Sequence, residues 1–340
     1  MLIRLLLFAV LIVPAWAQTL RELAAVRGIH VGTASAAMFL REPDYTTVLA
    51  REYNQLEPEN EMKFSPIQPG PETFAFDRAD ALVEFAQRHA MRVRGHTLVW
   101  HSQNPAWLEK GSFTPAQMSA ILKKHIDAVV GRYAGKVFGW DVVNEAFNDD
   151  GTLRSTLWLD KPGIGLKGTG YIEQALRWTH AADPQATLFY NDYDNETVNG
   201  KSDAILAMAK DFTQRGVPLD GIGLQMHIAL KTDLSTLDEN IKRFAALGLI
   251  VEITELDIRL PADASGEASP ADLESQAAMY GKIAATCLKY PACKAIQTWG
   301  FTDKHSWVPA FFKGTGAALP FDRSYQPKAA YTALVETFKR

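Results

Sequence analysis

The sequence predicts an α/β fold, a (β/α)8 barrel that forms a single domain. Strand-like apolar runs alternate with amphipathic helical stretches along the chain, and eight such units fit its length of 340 residues. Most of these runs also end in side chains that hydrogen-bond or carry charge. Because the C-terminal ends of parallel barrel strands form one face, these side chains predict a single cleft.

Eight short runs of β-branched or apolar residues are the predicted strands. They are His30–Ser35, Gln55–Asn60, Arg92–Trp100, Val137–Glu145, Thr187–Tyr193, Gly221–His227, Leu249–Asp257 and Ala295–Asp303. Two of the intervening stretches have clear helical spacing. Asp77–Ala90 places four apolar side chains on one face, and Thr114–Tyr133 begins with Thr114-Pro115, a pattern typical of an N-cap and a first turn. The four apolar side chains are Leu82, Val83, Phe85 and Ala86.

Seven of the predicted strands end in polar or charged side chains. These endings are Glu59-Asn60, His96 with Trp100-His101, Asn144-Glu145, Asn191-Asp192-Tyr193, Gln225 with His227, Glu255 with Asp257, and Trp299 with Asp303. One such ending is equally typical of a helix cap or a surface turn. Seven at corresponding ends indicate a functional face, since a barrel brings these ends together.

Residues 1–17 have the layout of a secretory signal peptide. A charged start at Arg4 precedes an apolar run, Leu5–Val13, and small residues flank Trp16 before the predicted cleavage after Ala17. The alternative is a membrane anchor, but the run is shorter than the roughly 20 residues that span a bilayer. We therefore expect a secreted mature domain, residues 18–340, without a membrane segment, in the periplasm or outside the cell.

The charge pattern excludes one class of partner. The formal net charge is −4 and the sequence has no basic block, whereas a nucleic-acid binder needs a basic surface. A neutral or mildly acidic polymer is the better partner. The sequence also lacks a spaced set of histidines and cysteines, so we expect neither a metal site nor a cofactor. We expect the protein to be a monomer.

Cys287 and Cys293 are the two cysteines of the chain. In an exported protein such a pair predicts a disulfide, which here would pin a helix-to-strand turn. The alternative is two free thiols in a reduced compartment.

Glu145 and Glu255 each end a strand-like run, and they lie far apart along the chain. Such a pair suggests two carboxyl groups that face one substrate bond, as cleavage of a glycosidic bond requires. One group protonates the leaving oxygen, and the other meets the positive charge at the sugar carbon. A retaining enzyme holds them roughly 5–5.5 Å apart, and an inverting enzyme roughly 6.5–9.5 Å apart. The alternative for either glutamate is a solvated loop residue.

Five long motifs, in order along the chain, carry a family resemblance. They are Glu59-Asn60-Glu61-Met62-Lys63, Arg94-Gly95-His96-Thr97-Leu98-Val99-Trp100-His101-Ser102-Gln103, Trp140-Asp141-Val142-Val143-Asn144-Glu145-Ala146, Ile253-Thr254-Glu255-Leu256-Asp257 and Thr298-Trp299-Gly300-Phe301-Thr302-Asp303-Lys304. From about Ala25 to the C-terminus the chain resembles the glycoside hydrolase family 10 xylanases. The resemblance implies endo-cleavage of β-1,4-xylan with retention of configuration, with xylan and xylo-oligosaccharides as partners. It assigns Glu145 as the acid/base and Glu255 as the nucleophile.

Neighbouring side chains are predicted to support the two glutamates. Asn144 can donate its amide either to the substrate hydroxyl next to the reacting carbon or to Glu255. His227 can hydrogen-bond to Glu255, and Asp257 can orient this histidine because residues two apart share a strand face. The alternative for His227 is a packed side chain, and the accompanying Gln225 argues against it.

Flat aromatic faces and polar side chains are the predicted sugar contacts. The resemblance places Trp100, Trp299 and Trp307 around the sugar that undergoes cleavage. The polar candidates for the non-reducing side are Glu59, Asn60, Lys63, His96 and Gln103, with Gln225 as a further candidate. Tyr193 is predicted to stack on the leaving-group side. For Lys63 and Glu59 the alternative is a mutual salt bridge, and for Trp140, Trp158 and Trp178 it is a place in the core.

The sequence departs from the common family pattern at four positions, which are Phe64, Asn104, Asp194 and His305.

Two other functions stay open. A related enzyme acting on β-glucan or mannan would share both glutamates, but the Glu59–Lys63 motif resembles that of the xylanases. An exported sugar-binding protein would keep the groove and would be expected to lack one carboxylate, whereas both are present.

Overall fold

Eight parallel strands close into a barrel in the computed structural model, which describes residues 18–340. The predicted signal peptide, residues 1–17, lies outside the described residues. Around the barrel the strands are β1 (His30–Ser35), β2 (Gln55–Pro58), β3 (Arg92–Val99), β4 (Gly139–Asn144), β5 (Thr187–Asp192), β6 (Gly221–Leu224), β8 (Ile250–Pro261) and β9 (Cys293–Thr298). The last strand pairs with β1 in parallel, Val31 opposite Ile296, and closes the ring. The predicted single-domain (β/α)8 barrel is confirmed.

Helices alternate with these strands and cover the outside of the barrel. In residues 18–340 they are α1 (Leu20–Val26), α2 (Pro43–Glu52), α3 (Phe64–Ile67), α4 (Asp77–Arg88), α5 (Ala106–Glu109), α6 (Pro115–Tyr133), α7 (Gly170–Ala182), α8 (Gly200–Gln214), α9 (Leu237–Ala245), α10 (Pro270–Cys287), α11 (Val308–Phe311) and α12 (Ala329–Lys339), with short 3₁₀ helices at Ala37–Arg41 and Asp303–His305. The predicted face of α4 is buried. Thr114 caps α6 by accepting the backbone N–H of Gln117, as its sequence predicts.

Two short strands extend the sheet at the C-terminal end of the barrel. They are β7 (His227–Ala229), which pairs in parallel with β8, and β10 (Thr315–Gly316), which pairs with β8 in antiparallel fashion. The prediction of one continuous strand from Gly221 to His227 is therefore wrong. Met226 has a φ of +66°, a left-handed conformation that interrupts the ladder between β6 and β7.

Charged side chains fill part of the barrel interior. Arg94 is fully buried, and its guanidinium lies 2.8 Å from Glu252 and 3.7 Å from Glu57, with Asp141 as a further partner. Burial alone would raise the pKa of Asp141, but the charge of Arg94 outweighs it and lowers this pKa. The core below the cleft thus depends on paired charges as well as on apolar packing.

Cys287 and Cys293 form a disulfide, with their Cα atoms 5.4 Å apart. The bond joins the last residue of α10 to the first residue of β9, so it lies at the N-terminal end of the barrel strands. The predicted disulfide is confirmed.

Within residues 18–340, none of the helices is both long enough and apolar enough to cross a membrane.

Candidate active site

Glu145 directly follows β4 and leaves the strand in a left-handed conformation, with a φ of +56°. Three side chains donate hydrogen bonds to its carboxylate. Trp100 Nε1 donates to Oε2 at 2.8 Å, and Asn144 Nδ2 and Gln225 Nε2 donate to Oε1 at 3.2 and 3.1 Å. His101 Nδ1 lies 3.7 Å from Oε2. The carboxylate is therefore held in a fixed orientation at the C-terminal end of the barrel.

Glu255 lies within β8 and is buried. Asn191 Nδ2 donates to its Oε1 at 2.7 Å, and His227 Nε2 lies 3.0 Å from its Oε2. The other ring nitrogen of His227 lies 2.8 Å from Asp257 Oδ2, which also accepts the indole N–H of Trp307 at 2.8 Å. Glu255, His227 and Asp257 form the hydrogen-bonded series that the sequence suggests.

The charges around Glu255 favour its ionised form. Burial alone would raise the pKa of Glu255, but the hydrogen bond and the charge of His227 outweigh it and lower this pKa below its ordinary value. Burial alone would lower the pKa of His227, but Asp257 and Glu255 raise it to about 10. At neutral pH the site therefore holds an imidazolium beside a carboxylate.

Asn144 contacts Glu145, whereas the sequence suggests either the substrate hydroxyl or Glu255 as its partner. Its amide nitrogen donates to Glu145, and Asn191 donates to Glu255. Asn191 Nδ2 also donates to Asn144 Oδ1 at 2.9 Å. The sequence predicts Asn191 only as part of a polar strand end. Its position on the same face as the two glutamates is the sequence signal that points to a role in the site.

Lys63 occupies the side of the cleft that follows β2. Its ammonium donates to Asn60 Oδ1 at 3.1 Å and lies 5.0 Å from the ring centroid of Trp100 and 5.5 Å from that of Trp299. Burial lowers the pKa of Lys63. In the described part of the chain, Lys63 and Glu59 form no ion pair within 4.0 Å, so the alternative of a mutual salt bridge is not realised. Glu59 instead accepts a long hydrogen bond from Asn60 at 3.4 Å.

His96 lies beside Glu255, and its role in sugar binding stays a prediction. It is buried, its Nδ1 is 3.0 Å from Asp141 Oδ2, and its ring packs edge-on against Trp299 at 5.3 Å. One atom each of His96, Glu57 and Glu255 lies within 4.8 Å of the others. His96 is hydrogen-bonded to Asp141, Glu255 accepts from Asn191, and Glu57 Oε2 accepts from Gln297. In residues 18–340, Glu57 Oε1 has no hydrogen-bond partner.

Gln103 is exposed after β3 and has a φ of +49°. Its carbonyl oxygen accepts the N–H of Ser65 at 3.0 Å, which ties this loop to α3. Its role in sugar binding stays a prediction.

Tyr193 directly follows β5, at the C-terminal end of the barrel. Its hydroxyl accepts a hydrogen bond from Arg154 at 2.9 Å, and the ammonium of Lys201 lies 3.4 Å from its ring centroid. Lys201 is buried and forms an ion pair with Asp192 at 2.8 Å. Arg154 also donates to the carbonyl oxygen of Glu145 at 3.1 Å. Sequence reasoning missed Arg154 and Lys201, which hold Tyr193 from its edge and its face.

Phe64 and Asn104, two of the four positions that depart from the common family pattern, have well-defined side-chain contacts. Phe64 is buried and stacks on His125, with centroids 3.7 Å apart. Asn104 donates to the carbonyl oxygen of Trp100 at 3.1 Å, which helps to fix the indole that contacts Glu145. Trp140 and Trp158 are buried, and Trp178 packs partly buried against the core, as the core alternative predicted.

The other two unusual positions bring titratable groups. Asp194 is exposed, with a φ of +52°, and burial of part of its carboxyl raises its pKa. His305 stacks on Phe39 at 3.9 Å, and its Nε2 lies 3.0 Å from Glu42. His305 is thus held by the segment that follows β1 rather than by either catalytic candidate.

The sequence is similar to proteins named endo-1,4-beta-xylanases. Endo-1,4-beta-xylanase B of Thermotoga neapolitana is 45% identical over 321 residues, which cover 93% of this chain and 90% of the relative. Endo-1,4-beta-xylanase C of Phanerodontia chrysosporium is 37% identical over 336 residues, which cover 96% of this chain and 80% of the relative.

Solved structures share the fold. Native xylanase 10B from Thermotoga maritima matches with a TM-score of 0.89 and 45% identity, over 94% of this chain and 98% of that one. Xylanase 10B from Thermotoga petrophila RKU-1, in complex with xylobiose, matches with a TM-score of 0.90 and 45% identity, over 94% and 97% of the two chains. The family model described as Glycosyl hydrolase family 10 matches residues 19–337. The chain therefore belongs to glycosyl hydrolase family 10, as the five sequence motifs indicate.

Proposed function

We propose that this chain is a secreted endo-1,4-β-xylanase that cleaves internal xylosidic bonds with retention of anomeric configuration. The observation that carries the proposal is the pair Glu145 and Glu255 on one face of the barrel, each held by its own set of donors. Their surroundings differ: Glu255 is buried beside a charged histidine, whereas Glu145 is held mainly by neutral amides and an indole. Two carboxyl groups in different environments suit an acid and a nucleophile.

In the first step, the carboxylic acid of Glu145 donates its proton to the leaving glycosidic oxygen while the carboxylate of Glu255 attacks the anomeric carbon. His227 keeps Glu255 ionised for this attack. In the second step, the carboxylate of Glu145 removes a proton from a water molecule, which displaces Glu255 and restores the original configuration. Glu145 supplies the proton and Glu255 the electron pair of the first step; in the second step the water molecule supplies the attacking electron pair, and its proton returns Glu145 to the acid form.

The substrate is a β-1,4-linked xylan chain. The indoles of Trp100, Trp299 and Trp307 offer apolar faces for pyranose rings, and Lys63 with Asn60 offers hydrogen bonds on the β2 side. The names of the relatives support xylan over β-glucan or mannan. A sugar-binding protein without catalysis is less well supported, because binding alone does not need two carboxylates that are each held in a fixed orientation.

Product analysis tests substrate and mode together. The chain from Gln18 to Arg340 is incubated in parallel with xylan, a cellulose-type glucan and mannan, and the products are separated by chromatography. We expect short β-1,4-xylo-oligosaccharides from xylan alone. Release from glucan or mannan instead would favour the related enzyme, and a folded protein that releases no sugar would favour the binding protein.

Three further measurements test the finer parts of the proposal. Proton NMR at early times should show that the β-anomer is the first product, since retention preserves the configuration of the cleaved bond. Mass spectrometry of the exported chain should give an N-terminus at Gln18, as expected for cleavage after Ala17. Size-exclusion chromatography of the same sample tests the expected monomer.

A further inference from the structure

The turn between β6 and β7 has an unusual backbone. Its central residue, Met226, is fully buried and has a φ of +66°. A non-glycine residue seldom adopts this region, and it persists only where the surrounding structure holds it. The neighbouring contacts are backbone hydrogen bonds: Gln225 N–H donates to Asp192 at 3.0 Å, and the carbonyl oxygen of Met226 accepts from Asp257 at 3.3 Å.

This turn presents one side chain to each catalytic candidate. Gln225, before Met226, donates to Glu145 Oε1 at 3.1 Å. His227, after Met226, lies 3.0 Å from Glu255 Oε2. The conformation of Met226 therefore sets the direction of two side chains at once, and each of them orients a different carboxylate.

Glu196, in the loop after β5, supplies the side-chain contact that completes the turn. Its Oε1 accepts the backbone N–H of Met226 at 2.7 Å. A buried N–H needs a partner, and this carboxyl provides it. Glu196 is itself buried, 5% exposed, and burial raises its pKa to about 7. The titratable groups that face it are Asp194 on the same loop and His227 on β7.

We propose that Glu196 is a positioning residue for both catalytic glutamates: by accepting the Met226 amide proton, it holds the turn that aims Gln225 at Glu145 and His227 at Glu255. The inference rests on the proposed function, since it assigns those two glutamates to catalysis. Glu196 touches neither glutamate directly, and it acts through the backbone between Gln225 and His227.

Two variants separate the acceptor from the charge. Glu196→Gln keeps an oxygen that can accept the Met226 N–H, so we expect kcat/KM on xylan to stay within about threefold of the wild type. Glu196→Leu removes the acceptor, and we expect kcat/KM to fall by about 10- to 100-fold, the scale of a small misplacement of catalytic groups. The acidic limb of its pH profile should move to higher pH, because His227 normally lowers the pKa of Glu255. The other titratable groups near Glu255 are His96, Glu57 and Lys63, which the substitution leaves in place.

Glu52 provides a matched control. This glutamate is also buried and also accepts a backbone N–H, that of Leu20 at 2.9 Å, but it lies at the end of α2 and contacts α1 and α12. We expect Glu52→Leu to lower the melting temperature and to leave kcat/KM and the acidic limb unchanged. A shift of the acidic limb in Glu196→Leu alone would identify a positioning effect rather than a general loss of stability.

A second readout is independent of activity. The imidazole resonances of His227, followed by NMR over pH, should titrate near 10 in the wild type and at lower pH in Glu196→Leu, because a displaced His227 loses its carboxylate partners. Should Glu196→Leu fail to fold, Glu196→Asp takes its place, since it withdraws the acceptor by one methylene group.

The proposal is overturned if the folded variant keeps wild-type kcat/KM, acidic limb and His227 titration, or if Glu196→Gln is as impaired as Glu196→Leu. A wild type inactive on every polysaccharide would overturn the proposed function, and the His227 titration would still decide whether Glu196 holds the turn.

Discussion

The side chains of Asn144 and Asn191 are hydrogen-bonded to each other at 2.9 Å. Each amide also donates to one glutamate, Asn144 to Glu145 at 3.2 Å and Asn191 to Glu255 at 2.7 Å. A continuous series of side-chain hydrogen bonds therefore joins the proposed acid/base to the proposed nucleophile. Since the two asparagines come from neighbouring strands, β4 and β5, the barrel itself fixes the separation of the two carboxylates.

The first prediction concerns Asn191. Asn191→Ala removes a donor that helps to lower the pKa of Glu255, so the acidic limb of kcat/KM should move to higher pH. We expect kcat/KM at the optimum to fall by about 10- to 100-fold, because Glu255 loses one of its two orienting contacts. Asn54→Ala is the control, since Asn54 accepts the N–H of Val31 at 2.9 Å, away from Glu255. An unchanged acidic limb in Asn191→Ala would contradict the assignment.

Two substrates with different leaving groups distinguish the role of Glu145 from that of Glu255. Glu145→Ala should reduce xylan hydrolysis by about 10²- to 10⁴-fold, the usual contribution of a general acid. It should spare formation of the glycosyl-enzyme from an aryl xylobioside whose leaving group needs no proton, and stopped-flow detection of the released phenol measures this step. Glu255→Ala should be inactive on both substrates. Equal losses on both substrates for Glu145→Ala would remove its assignment as acid/base.

Much of the site could be predicted because its signals are local in sequence. Polar residues at the ends of apolar runs place Glu145 and Glu255 on one face, and the alternation of side chains along β8 brings Asp257 to the same side as Glu255. Because Asp257 and Glu255 share this face, His227 can contact both of their carboxylates.

Other features could not be predicted, for physical reasons. Methionine is not a turn residue, so nothing in the sequence marks the left-handed conformation of Met226; it is imposed by contacts such as that with Glu196, 30 positions away. The partners of Arg94 lie on three other strands, and a local pattern cannot pair residues separated by up to 158 positions. Arg154 belongs to the loop after Glu145, where no periodicity applies.

Arg94 should be the most sensitive charge in the barrel interior. Arg94→Met leaves Asp141 buried without its cation and Glu252 with Arg92 as its remaining cation. Breaking a buried ion pair in this way costs about 3–5 kcal/mol of unfolding free energy. Urea unfolding measures the loss. The control is Arg88→Met, which removes an exposed pair with Glu84 and should change stability far less. A similar loss in both variants would mean that the buried cluster adds no more than a surface ion pair.

The disulfide should affect stability without affecting catalysis. The loop closed by Cys287 and Cys293 is short, and its chain entropy gives a stabilisation of about 2 kcal/mol. We expect reduction of the wild type to lower its melting temperature by several degrees and to leave kcat/KM unchanged, because the bond lies at the opposite end of the strands from Glu145 and Glu255. The double variant with serine at both positions should melt like the reduced wild type and should not respond to reductant.

The last prediction follows from the protonation of His227. Its pKa is raised to about 10 in the folded protein, whereas that of an unfolded histidine is about 6.5. A raised pKa means that the folded state binds the proton more tightly, so this contribution to stability is complete below about pH 6.5 and declines as pH rises toward 10. The difference in unfolding free energy between the wild type and His227→Gln should therefore be larger at pH 6 than at pH 10. Urea unfolding of both proteins at both pH values measures this difference. A difference that is constant or that grows with pH would show that Glu255 and Asp257 do not hold His227 in its charged form.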